Sequence, residues 1–257
     1  MQYFIVADVH SFYNELITAL NNAEWKNEDN QCFVSLGDLC DRGPDTIKCL
    51  EFVNNLPDNR KILIRGNHED LMEQAICRKL FKFHDIHNGT VKTAEAIALH
   101  EGWNSKEWGL TESDDREILN LVKDSSLWNN YVNKTVNFAE VGKNIFVHGW
   151  IPTKLDTWEK QSNWRSDLAD WDSARWINGM EAWSNGAKIK GKTIWCGHWH
   201  TSWGHSVLHH DGVEFPEAKG DIAHFSPFID KGIVAMDACT AFSHKVNCKV
   251  IEVDNDK

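Results

Sequence analysis

The chain has 257 residues, 42% hydrophobic and 25% charged, enough to bury one large core. Its 27 basic and 38 acidic residues give a net charge of −11 with no basic block, which argues against a nucleic-acid-binding or anionic-membrane surface. The seven cysteines include no C-x-x-C pair, so free thiols in a reducing, cytoplasmic setting are expected rather than disulfides or a structural zinc site.

The apolar run at 3–7 reads as a buried strand and stops at Asp8, far short of a signal-peptide core or a membrane span. A helical stretch over 12–22 follows, then a strand at 32–36 and a helix opened by Pro44 that carries Ile47, Leu50 and Val53. Next come a strand at 61–65 and a helix over 69–83. Further strands are expected at 136–141 and 144–147, paired through Gly142, and at 193–196, 233–236 and 249–253. This alternation predicts an α/β fold in a single domain over 1–257, since five prolines and no repeat or Gly/Ser tract mark no linker. Two insertions break the rhythm, a polar helix-rich one near 84–134 and a tryptophan-dense helical one near 153–190, both expected beside the mouth of the core.

Five strand ends carry residues of metal-ligand type: Asp8-Val9-His10, Gly37-Asp38-Leu39-Cys40-Asp41-Arg42-Gly43, Gly66-Asn67-His68-Glu69, His148-Gly149 and Gly197-His198-Trp199-His200. In α/β sheets, ligands bind outside the carboxyl ends of strands, so the five converge on one place. Asp-x-His or His-Gly alone reads more readily as turn chemistry. Gly-Asn-His-Glu, by contrast, arises by chance about once in a thousand chains of this size, and five such strings in order outweigh the turn reading. Asp, His and Asn suit Mn, Fe or Zn, with Mn the first expectation, and Asp38 is the candidate to bridge two such ions. Two ions about 3.5–4 Å apart can share a hydroxide poised for in-line attack on phosphorus.

The order D-x-H, G-D-x-x-D-R-G, G-N-H-E, H-G, G-H resembles the calcineurin-like metallophosphoesterases, and the Asp-Arg-Gly and Asn-His-Glu strings resemble their phosphoprotein phosphatase branch, particularly the bacterial and phage enzymes. The resemblance runs from Asp8 to His200 and extends to Met236-Asp237-Ala238-Cys239-Thr240-Ala241. It implies a central β-sandwich flanked by helices, and two metal ions. One ion would take Asp8, His10 and Asp38, the other Asp38, Asn67, His148 and His198. His200 would join the first ion as in the G-H-x-H members, because residues i and i+2 of a strand face the same way. The same resemblance makes His68 the general acid, Asp41 its hydrogen-bonded partner and Arg42 a phosphate clamp. Arg175 is expected as a second clamp with Arg165 behind it, and Asp237 as the carboxylate that orients a metal-bound histidine.

Ser11 replaces the glycine that commonly follows D-x-H, Trp150 stands where a small residue is common and Ala238 where Thr or Gly is usual, departures that touch substrate choice and not the ligands. Nine of the thirteen tryptophans lie between Trp150 and Trp203; most read as core, while Trp150 and Trp199 sit inside the metal motifs and could stack on an aromatic leaving group. Histidines 84, 87, 100, 205, 209, 210, 224 and 244 fit no motif, and Cys40 and Cys196 read as packed thiols. The expected activity is that of a serine/threonine or tyrosine phosphoprotein phosphatase acting on a phosphopeptide or small phosphate ester without a covalent intermediate. The alternative is a dinucleoside polyphosphate, nucleotide or phosphodiester hydrolase using the same residues. A third reading, an inactive phosphate-binding module, is disfavoured by the intact His68, Asp41 and Arg42.

Overall fold

Side chains of a strand point alternately to opposite faces, and here that alternation sorts the apolar residues into three layers. In the computed structural model, which describes residues 1–104, 109–167 and 169–253, strand β1 (Gln2–Val6) sends Phe4 and Val6 to one cluster and Tyr3 and Ile5 to another. Helix α1 (Tyr13–Asn22) follows, then β2 (Gln31–Ser35), α2 (Thr46–Asn55), β3 (Lys61–Ile64) and α3 (Asn67–Arg78). Phe4, Val6 and Phe33 pack under Leu16, Leu20, Leu50 and Val53 of α1 and α2. Ile5, Val34 and Ile64 instead face a second sheet. Strands buried on both faces read as continuous apolar runs, which is why 3–7 and 32–36 stood out.

Helix α3 ends at Arg78 because Lys79 turns left-handed at φ 55°, not at residue 83 as expected. The polar insertion then supplies α4 (Phe83–Asn88), α5 (Thr90–His100), α6 (Glu112–Asp124) and α7 (Ser126–Val132). The expected strand at 136–141 divides between sheets: β4 (Thr135–Val136) pairs parallel with β3, while β5 (Ala139–Val141) forms a hairpin with β6 (Asn144–Phe146). Phe138, between them, packs with the tryptophans on the far side of the second sheet.

The second insertion is less helical than its composition suggested. It holds a ribbon of β7 (Thr153–Lys154) with β8 (Glu159–Lys160), then only short helices α8 (Trp171–Ala174) and α9 (Gly179–Ser184). Trp164 and Trp171 pack edge to face at 6.0 Å, and Trp171 stacks on Phe138 at 5.4 Å, so aromatic burial rather than helical periodicity organises it. Full burial of each such ring contributes about 1.5–3 kcal/mol or more. Residues 105–108 of the first insertion and 168 of the second lie outside the described residues.

After β9 (Thr193–Cys196) come α10 (Thr201–Trp203), β10 (Phe228–Asp230), β11 (Ile233–Ala235), α11 (Thr240–Ser243) and β12 (Cys248–Glu252). Among the described residues the strands form two five-stranded sheets, ordered β12-β1-β2-β3-β4 and β10-β11-β9-β6-β5, besides the ribbon. Phe146, Trp195, Val234 and Met236 of the second sheet meet Ile5, Val34, Leu36 and Ile64 of the first, so the expected α/β sandwich forms with helices outside. Strand β10, a short antiparallel edge, had escaped notice. Strands β1, β2 and β3 run parallel in one sheet, and β6, β9 and β11 in the other. The carboxyl ends of these strands carry the motif residues.

Candidate active site and metal centre

Past their last ladder residues β1, β2 and β9 turn sharply, and these turns are made in left-handed backbone. Asp8 (φ 49°), His10 (51°), Asp38 (53°), Asp41 (74°), Arg42 (65°) and His198 (66°) all adopt it. A non-glycine residue held there costs about 1–3 kcal/mol, tolerated when surrounding contacts enforce it. Ser11, in place of a glycine, takes φ 61° and lies 2.9 Å from the Thr46 hydroxyl. Glycines remain where a side chain would collide: at Gly37 (φ +98°) a Cβ would stand 2.6 Å from His148 Nδ1.

Glu69, a member of the Gly-Asn-His-Glu string given no role from sequence, fixes these turns. Its buried carboxylate accepts from the amides of Asp38 (3.1 Å), Leu39 (3.2 Å) and Gly66 (2.7 Å) and from the Tyr131 hydroxyl (2.7 Å). Burial, together with the nearby Asp38 carboxylate, raises its pKa. The hydroxyl on α7 thus ties the polar insertion to the metal loop. Replacing Tyr131 by Phe removes the hydroxyl and keeps the ring, so stability should fall by about 1–3 kcal/mol, read from the urea midpoint at unchanged slope. A change below about 0.3 kcal/mol would remove this bond from the account.

The donors gather around Asp38. Potential ligand atoms of His10, Asp38 and His68 lie within 4.8 Å of one another, as do those of Asp38, His148 and His198, so one carboxylate belongs to both groups. Asn67 Oδ1 lies 2.8 Å from both His148 Nε2 and His198 Nδ1, and the imidazoles of His10 and His148 present Nδ1 to the carbonyls of Cys40 and Leu36. Asp8 stands at the other side of this cluster, its two oxygens each 3.0 Å from the His198 amide.

Cation chemistry fits this array. With the Leu36 carbonyl holding the hydrogen on Nδ1, His148 points Nε2 at Asn67 Oδ1 and at Asp38 Oδ1 3.3 Å away, an arrangement that calls for a positive centre there, a proton or a cation. Burial opposes charge on His148, but the carboxylates of Asp38 and Asp8 outweigh it and raise its pKa to about 10. Burial likewise lifts Asp8 well above the usual carboxylate range, with Asp237 and Asp38 adding repulsion. Buried carboxylates crowded with imidazole nitrogens and one amide oxygen make a hard-to-borderline site for divalent ions.

His68 is held differently. Its Nδ1 donates to Asp41 Oδ2 at 2.7 Å, and the same oxygen accepts from Thr90 Oγ1 at 2.7 Å, while the Asp41 amide donates to Thr93 Oγ1 at 3.0 Å. Burial disfavours the imidazolium, yet Asp38 and Asp41 prevail and raise its pKa. Arg42, exposed at the mouth, places Nη2 3.3 Å from His68 Nε2, so both groups address one point. Thr90 and Thr93 lie some fifty residues from Asp41, and no local pattern announced them.

Three expectations need correction. His200 does not join the others: β9 ends at Cys196 and His198 is left-handed, so the strand rule does not reach residue 200. Its ring lies 3.1 Å from the Ser202 hydroxyl and 3.2 Å from Glu214. Arg175 is buried with Nη1 on Asp70 (2.6 Å) and Asp172 (2.7 Å) and Nη2 on Asn137, which makes it an anchor rather than a free clamp. Arg165 pairs with Glu140 and lies over Trp164. Asp237 accepts from the Cys239 amide at 2.7 Å, and among the described residues no histidine ring donates to it. Trp150 is buried, its indole donating to the Ala187 carbonyl at 2.9 Å, whereas Trp199 is half-exposed. Trp176, which sequence gave no role, stands 5.6 Å from the His198 ring.

The family model described as calcineurin-like phosphoesterase matches residues 1–215. A symmetrical bis(5'-nucleosyl)-tetraphosphatase of Psychromonas ingrahamii is 41% identical over 69 residues, 27% of this chain and 24% of that protein. Serine/threonine-protein phosphatase 1 of Salmonella typhimurium is 34% identical over 72 residues, 28% of this chain and 32% of that protein. The chain therefore aligns with a third or less of either relative's length. The cold-active protein-tyrosine phosphatase of a psychrophilic Shewanella species superposes with TM-score 0.52 at 14% identity, over 98% of this chain and 75% of that one, a likeness of fold alone. Since the match over 1–215 takes in every strand-end motif from Asp8 to His200, the chain belongs to the calcineurin-like phosphoesterase family.

Proposed function

We propose that this protein hydrolyses a dinucleoside tetraphosphate at the Asp38-centred site. The observation that carries the chemistry is one carboxylate common to two ligand groups, with His68 and Arg42 beside it. Membership of the family implies a dinuclear metal site. When bound, two divalent ions supply Lewis acidity at a phosphoryl oxygen and a nucleophile at neutral pH. Asp8, His10 and Asp38 would hold one, and Asp38, Asn67, His148 and His198 the other; we expect Mn, for which these oxygen and nitrogen donors are suited.

The protein's own residues do the rest. Arg42 grips a phosphate oxygen with its planar fork. His68, fixed through Nδ1 by Asp41, carries a proton at Nε2 toward the leaving oxygen. The net charge of −11 argues against nucleic acid as the substrate. All seven cysteines are free thiols, which suits a reducing cytoplasm, and among the described residues no helix is long and apolar enough to cross a membrane.

The tetraphosphate reading takes support from the name of the Psychromonas relative, 41% identical, and from the exposed indole of Trp176 near His198. It displaces the phosphopeptide reading, for which the Salmonella relative speaks at 34%. The test is kcat/KM on diadenosine tetraphosphate, a phosphodiester, and phosphoserine and phosphotyrosine peptides, each with Mn. A preference of about tenfold or more for the tetraphosphate is expected, equivalent to about 1.4 kcal/mol in the transition state. Faster turnover of a phosphopeptide would return the protein to the phosphatase reading.

A further inference from the structure

The geometry points to a second element of this site: Trp176 and Trp199 form a stacking platform for the base of a bound nucleotide, next to the metal-ligand histidine His198. The proposal rests on the tetraphosphate reading for the identity of the cleaved substrate, and on the indoles alone for the base.

The tryptophans in and around the second insertion differ in exposure, with Trp158 and Trp183 partly buried. Trp150, Trp164 and Trp171 are 1–2% exposed, whereas Trp176 is 50% and Trp199 36% exposed. Both open indoles meet one ring: Trp176 lies 5.6 Å from His198 at 82°, and Trp199 lies 6.0 Å from it at 61°. His198 in turn touches the Asn67 amide oxygen at 2.8 Å, so the platform begins at the outer edge of the ligand cluster, with one imidazole between it and Asn67.

The platform is also held rigid. The Trp176 amide donates to the Ser173 carbonyl at 3.1 Å, and the Trp199 amide donates to the Gly197 carbonyl at 2.8 Å. Arg175, the residue before Trp176, is locked by Asp70, Asp172 and Asn137. What looked from sequence like a clamp therefore fixes the segment that presents an indole. A pre-set aromatic surface loses little entropy when a flat ring lands on it.

A base is the occupant that this distance favours. In a phosphotyrosine substrate the ring is joined to the reacting phosphorus through one oxygen, so it must lie against Asp38, His68 and Arg42. Among the described residues neither indole makes a ring contact with His68. A nucleotide places ribose, and in a tetraphosphate further phosphates, between base and reacting phosphorus, and so reaches past His198. The chain's net charge of −11 gives polyphosphate little long-range attraction, so stacking adds to the local hold of Arg42 and the bound ions.

The test uses Mn-loaded wild type, W176A, W199A and W176F, with dissociation constants for AMP and inorganic phosphate measured by calorimetry at two salt concentrations. Each alanine variant should lower the ratio of AMP to phosphate affinity about tenfold, within the range for loss of one base–aromatic stack. W176F should fall between wild type and W176A, and the loss should persist at high salt. The KM for diadenosine tetraphosphate should rise with the AMP dissociation constant. An unchanged ratio, or equal loss of AMP and phosphate, overturns the platform; so does a variant that loses phosphotyrosine-peptide binding while keeping AMP. If wild type binds AMP through these indoles but does not cleave the tetraphosphate, the platform stands and the proposed substrate falls.

Discussion

Asp38→Asn should abolish the paired metal site while sparing the fold. Asn keeps the shape of Asp and an oxygen to accept the His68 amide, a bond of 3.1 Å in the wild type. It loses the charge and the ability to serve two cations at once, and Asp38 is the one carboxylate common to both ligand groups. Losing even an outer partner of a ligand costs about 10–100-fold in metal affinity, so a residue placed between two ions should cost more than about 100-fold. Protein purified and dialysed against limiting Mn should then hold fewer than two ions per chain, and kcat/KM should fall by at least about 10³. Wild type should melt higher with Mn than with chelator, because a ligand at 100 times its dissociation constant adds about 2.7 kcal/mol. In the variant that metal-dependent rise should shrink or vanish while the melting point in chelator changes little. Two ions retained with near-normal turnover would remove Asp38 from the bridging position.

The sandwich was legible because its strands are buried on both faces: the runs around Ile5, Val34 and Ile194 are apolar at consecutive positions, and each residue has a layer to enter. The ligand strings were legible for a related reason. Polar residues that end an apolar strand need a use, and the parallel strands β1, β2, β3, β6 and β9 aim their ends at one edge. Less was readable where long-range geometry decides. Nothing near Asp41 announces Thr90, and nothing near Glu69 announces Tyr131, since each pair meets only when the polar insertion folds back. His200 misled because the strand period was carried four residues past Cys196, through a left-handed turn that sequence does not display. Arg175 misled because Asp70 and Asn137, far away in sequence, converge on it beside Asp172 of its own helical turn. Substrate preference was harder still: the strings around Asp38 and Asn67 serve the bond-breaking chemistry, whereas the surfaces that choose a leaving group, such as Trp176, lie in an insertion without a periodic pattern.

His68→Asn should separate that chemistry by leaving group. The imidazole is fixed by Asp41 at 2.7 Å and its Nε2 lies 3.8 Å from Asp38 and 3.3 Å from Arg42, at the place a departing oxygen would occupy. Charge from Asp38 and Asp41, working against burial, keeps it protonated to higher pH than an ordinary histidine. General acid catalysis contributes about 10²–10⁴ when the leaving oxygen is strongly basic, as in an alkyl phosphate, and less as the basicity falls. A nucleotide leaving from a tetraphosphate departs through a phosphate oxygen of pKa about 6, which needs little protonation at neutral pH. The variant should therefore lose about 10²–10⁴ in kcat on a serine-type phosphate and clearly less on diadenosine tetraphosphate or nitrophenyl phosphate, at unchanged metal content. Equal losses on all three substrates would mean that His68 acts by holding phosphate or metal rather than by donating a proton. No loss on any of them would exclude it from the reaction, and the hydrogen bonds of Asp41 and Thr90 would then serve only the turn they close.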